Sequence, residues 1–452
     1  MGANNSKEDT LDKYGSLLNE TEKVLVRDSF KTICASQQEI DRFSASHLQV
    51  YATTFGLSET IDPNRFVSAL SVTVQPDGTV TPPISHVTYS NYVQNISILV
   101  KGSPQQRSQI FSHLLKPPLS TDKVEALLLS FLCFLLMPNK LSSAHFPQYK
   151  YWPGNEESLK DMVSYLTKSL KTGAPTLDKI EIQIWLMSCS LANFVIQSFF
   201  KLSFILPLST LHEAVDDDET LLPDVVVHPK LNVSMKSHIL DHGSMLYIHS
   251  ILPHELKSCM YPLFSTKLHG ESFSTLCRQI LDRGPILLVI KDTGGHVFGA
   301  VTFDPWKFTP TFTGTSSFLF TLKPTFGSYM PTGYNQNYMY LQQSAQTLPN
   351  GLGMGGQINY FGLWLSSDFG KGSSKARPKC STFGSPCLSS TEEFTIDIME
   401  AWGLGKPIIP EDDEEDKEVS ILDKDREARA LLEIAGKPRL SEGLRDEPED
   451  DD

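Results

Sequence analysis

Gly351-Leu352-Gly353-Met354-Gly355-Gly356-Gln357-Ile358-Asn359-Tyr360-Phe361-Gly362-Leu363-Trp364-Leu365 decides how the second half of this chain is read. Gly351, Gly353 and Gly356 stand at the G-x-G-x-x-G spacing that cradles a dinucleotide pyrophosphate. That use needs a strand before the glycines, a helix after them and an acidic residue about twenty positions on. Here the residues that follow are β-branched or aromatic, and several alternate with polar residues or glycine, which is the pattern of a strand. Leu348-Pro349-Asn350 in front is a turn. The phosphate cradle is excluded, and the stretch reads as a glycine turn followed by a strand over 357–365.

Further short β-like runs lie around it, at 286–290, 297–303, 318–322, 338–341 and 394–402. Asp292-Thr293-Gly294-Gly295 joins the first two as a hairpin turn. Helical segments are expected near 256–264 and 272–282, the second stopped by Gly284-Pro285. Many short strands with glycine turns argue for a β-sandwich flanked by helices.

The glycine run continues to Asp368-Phe369-Gly370-Lys371-Gly372-Ser373-Ser374. Upstream lie Leu287-Leu288-Val289-Ile290, Val297-Phe298-Gly299-Ala300 and Ser317-Phe318-Leu319-Phe320. Downstream lie Thr382-Phe383-Gly384 and a strand closing on Glu400-Ala401-Trp402. Together these residues resemble the TLDc domain family over roughly 232–403, well over a third of the chain. The resemblance implies a β-sandwich with helices, and a binding role at the peripheral, cytosolic part of the vacuolar proton-pumping ATPase (V-ATPase). It also implies protection against oxidative stress. With these N- and C-terminal extensions, it implies lysosomal membranes and the mTOR complex as a partner.

At 452 residues the natural prior is two domains plus tails. The formal charge of −14 is uneven: from Gly405 to Asp452 there are 18 acidic and 8 basic residues. No basic stripe stands out, so nucleic acid is not an expected partner. Cys34, Cys133, Cys189, Cys259, Cys277, Cys380 and Cys387 are scattered, odd in number and without a C-x-x-C pair. They read as reduced thiols of a cytosolic protein. Met1-Gly2-Ala3-Asn4-Asn5-Ser6 fits the N-myristoylation pattern, with Gly2 as the acceptor. One myristoyl chain binds bilayers only weakly, with K on the order of 10⁴ M⁻¹. The residues to Lys13 hold Lys7 against Glu8, Asp9 and Asp12, and no cysteine. The expectation is therefore a weak, reversible anchor completed by a membrane-bound partner.

The fold class read from the whole is α+β. Residues 1–15 form the myristoylated segment, and 16–206 an all-helical, degenerate EF-hand-like domain. An acidic linker over 207–231 leads to the sandwich at 232–403, and 404–452 is an acidic tail. Helices are expected over about 16–56, with another pair around Pro76-Asp77-Gly78. An EF-hand register placing Gly78 at loop position 6 puts Thr73, Gln75, Asp77 and Ile84 at ligand positions. Only Asp77 offers a carboxylate, so a working calcium site is not expected. The apolar block over 126–137 is too short to span a bilayer. The block over 182–200 is interrupted by Gln183, Asn193 and Gln197, and reads as one buried helix. In the tail, Ser420 caps a helix of about 420–436, with Ile421, Ala428, Leu431, Leu432 and Ala435 on one face. Such a helix is marginal alone and either docks on its own domain or presents that face to a partner; the acidic spacer before it and the polar end after it favour a partner, a calcium-sensor protein being one candidate.

Chemistry is sparse. No nucleophile elbow, zinc-protease motif or P-loop is present, and no cofactor is expected. His238 and His242 are four apart, but Gly243 follows and no third ligand is indicated. His269, Glu271 and Ser272 are sequence neighbours, which rarely form a triad. The expected function is a non-catalytic adaptor at the V-ATPase that supports mTOR signalling. The alternative is a stress-protective enzyme with an unrecognised site, for which Glu271 and Glu400 are the polar candidates.

Overall fold

The computed structural model describes residues 17–35, 41–75, 79–137, 147–170, 175–205, 221–229, 231, 234–375 and 378–407. All but Pro407 belong to one unit, Met1–Lys406.

The described residues open with two helix–loop–helix units. α1 (Glu20–Ala35), β1 (Arg42–Phe43) and α2 (Ala45–Thr54) make the first; α3 (Pro63–Ser71), β2 (Val87–Thr88) and α4 (Tyr89–Lys101) make the second. The two loops bond to one another, Arg42 opposite Thr88 and Phe43 opposite Val87, antiparallel. Phe30, Phe43 and Tyr92 pack beneath this bridge with centroids 5.4–5.8 Å apart. Asp62 caps α3 by accepting from the Asn64 and Arg65 amides. Between α3 and β2, Val74 bridges Val80 and the Gln75 amide donates to Thr79 O at 2.8 Å. Thr73 and Gln75 thus sit in a small hairpin; Asp77 and Gly78 lie outside the described residues.

α5 (Pro104–Leu114), α6 (Thr121–Leu136), α7 (Glu156–Leu166), α8 (Lys179–Ser188), α9 (Ser190–Phe204) and α10 (His242–Ile251) complete the helical layer. The apolar run expected as one helix is two, α8 and α9, meeting at a bend of 97°. Asn193 braces the break: its side-chain amide donates to Leu186 O, on α8, and to Cys189 O, which also accepts the Asn193 backbone amide at the start of α9. Among the described residues no single helix is long and apolar enough to cross a membrane. The same Asn193 accepts from Arg107, which is 1% exposed and also donates to Leu99 O at 2.9 Å and Gly102 O at 2.7 Å. Burial lowers the Arg107 pKa to about 10, which still leaves it charged at neutral pH.

The rest is sheet. β3 (Asp224–Val225), β4 (Cys259–Ser265), α11 (Thr266–His269) and α12 (Phe273–Ile280) precede β5 (Ile286–Asp292), β6 (Val297–Thr302), β7 (Ser317–Lys323) and β8 (Gly327–Tyr329). β9 (Met339–Gln342), β10 (Gly351–Gln357), β11 (Tyr360–Ser366), β12 (Lys371–Ser373) and β13 (Glu393–Leu404) follow. The order is β8-β7-β6-β5-β13-β12-β11-β10-β9, with β4 on β13 and β3 on β4. β13 is twelve residues long and shared. Its first residues pair with β12, and its remainder pairs with β5 and β4.

The pleat gives three layers. Leu287, Val289, Val301, Phe318 and Phe320 face the helices, in one core with Val195, Phe199 and Leu246. Ile286, Leu288, Ile290 and Phe298 face the other way and share a second core with Leu352, Met354, Leu363 and Leu365. The sandwich core thus lies between the two halves of the sheet, and the helices cover one outer face.

Three expectations are corrected. Residues 259–265 form β4 rather than a helix. All seven are buried, and a run buried on both faces lacks the alternation that marks a strand. The glycine run is not a turn but β10 itself, and the turn is at Ile358-Asn359. Within the segment expected as linker, Leu221 and Leu222 are buried, and Asp224–Val225 pairs parallel to β4.

Candidate functional site

β10 is a strand without side-chain bulk, and the rings of its neighbours supply what it lacks. Gly353 lies opposite Trp364, and a Cβ on it would stand 2.5 Å from the Phe361 ring. A Cβ on Gly351 would stand 2.6 Å from Trp364. Phe361 and Trp364 stack at 4.6 Å, lying over the bare backbone. The pairing recurs: Gly372 faces Phe394, Gly299 faces Phe320 and Gly403 faces Tyr261. Glycine is required because a ring occupies its side-chain space. Gly356, at φ +77°, donates to Thr382 Oγ1 at 2.8 Å, and Thr382 donates to Asn335 Oδ1 at 2.6 Å. That ties the far end of the hairpin to the loops beside it.

Next to Trp364 the outer surface of β11, β12 and β13 forms a cleft of about 600 Å³, walled by the 292–294 and 389–391 turns. Lys371, Ser373 and Lys375 line it from β12 and the residues after it, Glu393 and Thr395 from β13. Lys375 stands 3.9 Å from Glu393. Asp292, 2% exposed, accepts from Ser389 Oγ at 2.5 Å and from the His296 amide at 2.8 Å. Here a serine bonds a carboxylate directly, and the His296 ring stands on the far side of that carboxylate, 3.8 Å from Asp292 Oδ1, so the order serine–imidazole–carboxylate of a triad is not formed. Ser44 does touch an imidazole, His47 Nδ1 at 2.9 Å, but it is the N-cap of α2, and His47 Nε2 is buried without a partner.

The residues singled out from sequence are dispersed. Glu400 is fully buried and accepts from Ser237 Oγ at 2.7 Å, the His238 amide at 2.7 Å and Trp402 Nε1 at 3.1 Å. Burial pushes its carboxyl above the usual carboxylate range, against the pull of these donors and of the His238 ring. It ties the segment before α10 to β13. Glu271 is exposed. His269 Nδ1 accepts from the Ser265 amide at 3.1 Å, and Ser272 caps α12 through the Thr275 amide at 3.3 Å. His238 and His242 do not share a helical face: His242 opens α10 and its Nε2 lies 3.4 Å from Tyr149 O, whereas His238 precedes the helix and meets Glu400. Burial lowers the His242 pKa. Gly2 and the tail residues Ile421, Ala428, Leu431, Leu432 and Ala435 lie outside the described residues. Sequence reasoning missed Asp292 and Ser237 as bonding centres; Asp292 was visible only as a turn residue, and Ser237 carried no signal.

Residues 233–405 match the TLDc domain family. The chain is 52% identical over 215 residues to the MTOR-associated protein MEAK7 of Gallus gallus, covering 47% of this chain and 46% of that protein. It is 45% identical over 273 residues to that of Xenopus laevis, covering 60% and 58%. These matches span about half the length of the relatives concerned. The match to MTOR-associated protein MEAK7 of Homo sapiens runs further, 35% identity over 394 residues and 83% of both chains. An α+β fold whose glycine strands are roofed by aromatic rings, matched at that length, means that the chain belongs to the family of mTOR-associated TLDc proteins.

Proposed function

We propose that this protein is a non-catalytic adaptor that binds the cytosolic part of the V-ATPase at lysosomal membranes and supports mTOR signalling. The observation that carries the reading is the 35% identity over 83% of both chains to a human protein named as MTOR-associated. The internal chemistry supports a scaffold: the buried acids Asp292 and Glu400 spend their oxygens on hydroxyl, indole and backbone donors that tie distant segments together. In this reading Gly2 carries a myristoyl group and the tail face of Ile421, Ala428, Leu431, Leu432 and Ala435 engages a partner. Lipid and pump then act as two weak attachments that together are avid. The test is affinity purification of the full chain from lysosomal membranes, followed by binding to purified V-ATPase. Co-purification that weakens on deleting residues 405–452 is the expected result. Failure of the full chain to bind the purified pump overturns the reading.

A further inference from the structure

The loops at one end of the sandwich form a surface almost without charge. From Pro324 to Ser367 there is no aspartate, glutamate, lysine or arginine, 44 consecutive residues in a chain that is 20% charged. The stretch is not simply interior. Met330, Tyr334 and Tyr360 are 46%, 82% and 62% exposed, and Thr332, Gln336 and Asn359 are exposed with them.

Side-chain hydrogen bonds lace three loops together there. Asn337, in the 330–337 loop, donates through its side-chain amide to Gly356 O at 2.6 Å, just before the 357–360 turn. Thr332 Oγ1 donates to Ser381 O at 2.7 Å, in the 378–385 loop. Thr382 Oγ1 donates to Asn335 Oδ1 while accepting from the Gly356 amide. Loops fixed in this way lose little freedom on binding, as a preorganised recognition surface must. Within 330–337, 357–360 and 378–385 the described residues carry one formal charge, that of Lys379.

The tyrosines and the missing charge select the kind of partner. A ring that is 82% exposed is a knob, whereas small-molecule sites are concave, so the pocket that Tyr334 fills belongs to a macromolecule. Nucleic acid and anionic lipid are drawn by clusters of cations, and one lysine is no cluster. Tyrosines set among adaptable amides and hydroxyls, with charge depleted, are the composition of a protein-binding centre. A charged group of the partner buried against this surface would be left unpaired, so the matching surface is uncharged as well.

We propose that the 330–337, 357–360 and 378–385 loops dock a folded protein, with Tyr334 and Tyr360 as anchors that enter uncharged pockets on it. The inference rests on the adaptor reading and deepens it by naming the surface that meets the pump.

The test uses the full chain and purified V-ATPase. The combined Tyr334→Ser and Tyr360→Ser variant is compared with its parent. Truncating one anchor costs about tenfold or more, so the loss of affinity expected for the pair is on the order of 10²-fold. Both rings face solvent, so the thermal unfolding midpoint stays unchanged. As a second readout, a photo-crosslinking phenylalanine analogue in place of Tyr334 joins the chain to a pump subunit. A parent that binds the pump and a variant that binds it equally well overturn this inference and leave the adaptor reading standing. A parent that does not bind the pump overturns both. Crosslinks that join only two copies of this chain, with a dimer lost in the variant, also overturn it.

Discussion

Ser237 Oγ lies 2.7 Å from Glu400 Oε2, a bond that spans 163 positions of sequence. The same hydroxyl accepts from the Leu240 amide at 2.8 Å, so one serine holds both the approach to α10 and the strand β13. This is the geometry of a buried joint.

Removing the carboxylate leaves three buried donors unpaired. Glu400→Ala is expected to cost about 3–5 kcal/mol, and Glu400→Gln, which keeps one acceptor, about 1–2 kcal/mol. Urea unfolding at neutral pH measures both. A loss of function from Glu400→Ala without loss of stability would favour a chemical role for this residue.

The glycines make a contrast that separates space from backbone. Gly353→Ala places a methyl 2.5 Å from the Phe361 ring, and should cost about 2–3 kcal/mol while displacing Trp364 and altering its fluorescence. Gly270 has φ +73° and ψ −179°, a combination essentially reserved to glycine, and open space around it, so Gly270→Ala costs backbone strain alone, about 1–3 kcal/mol, with no spectral change. Equal costs with equal spectra would mean that ring packing on β10 is unimportant.

Stability should fall in acid through His249. It is buried in α10, and burial, with repulsion from Lys257, lowers its pKa to about 4. The unfolded chain takes up a proton near pH 6.5, which the fold refuses until about pH 4. The stability due to neutral His249 is therefore present above pH 6.5 and is lost as pH falls across that window, by about 3 kcal/mol. His249→Gln should flatten the slope between these limits without abolishing it, because burial also lowers His113 and His242. Unfolding free energies at a series of pH values give the comparison.

Arg107 should not accept lysine. Its fork reaches two backbone carbonyls and Asn193 at once, a pattern that one ammonium on a flexible stem reproduces poorly. Arg107→Lys is expected to cost about 2–3 kcal/mol and to loosen the α8–α9 bend, read as faster amide exchange at Leu186 to Asn193. Unchanged exchange there would count against the role given to this residue.

Legibility in the sequence followed locality. β5 and β6 could be found because Asp292-Thr293-Gly294-Gly295 lies between them and the hairpin is local. α12 was announced by the Gly284-Pro285 stop that follows it. β4 was misread because both of its faces are buried, Met260 in the core shared with the helices and Leu263 and Phe264 in the sandwich core, while its edge partners β13 and β3 lie far off in sequence. β10 was misread because what makes it a strand is carried by Phe361 and Trp364 on β11, not by its own residues. The α8–α9 break has no proline or glycine to announce it, and its support comes from Asn193, one turn later. The joint at Glu400 needs residues from both ends of the β half, so no window of sequence contains it.

β13 has a mechanical consequence. The strand enters at the polar cleft with Glu393 and Thr395, and leaves at Trp402, whose ring lies 5.1 Å from that of Trp152 in the helical layer. A partner that pulls on the cleft therefore loads the helices through one covalent strand, with no flexible loop in between to absorb the force. Cleft and helical layer are thus mechanically one body, joined by the length of a single strand.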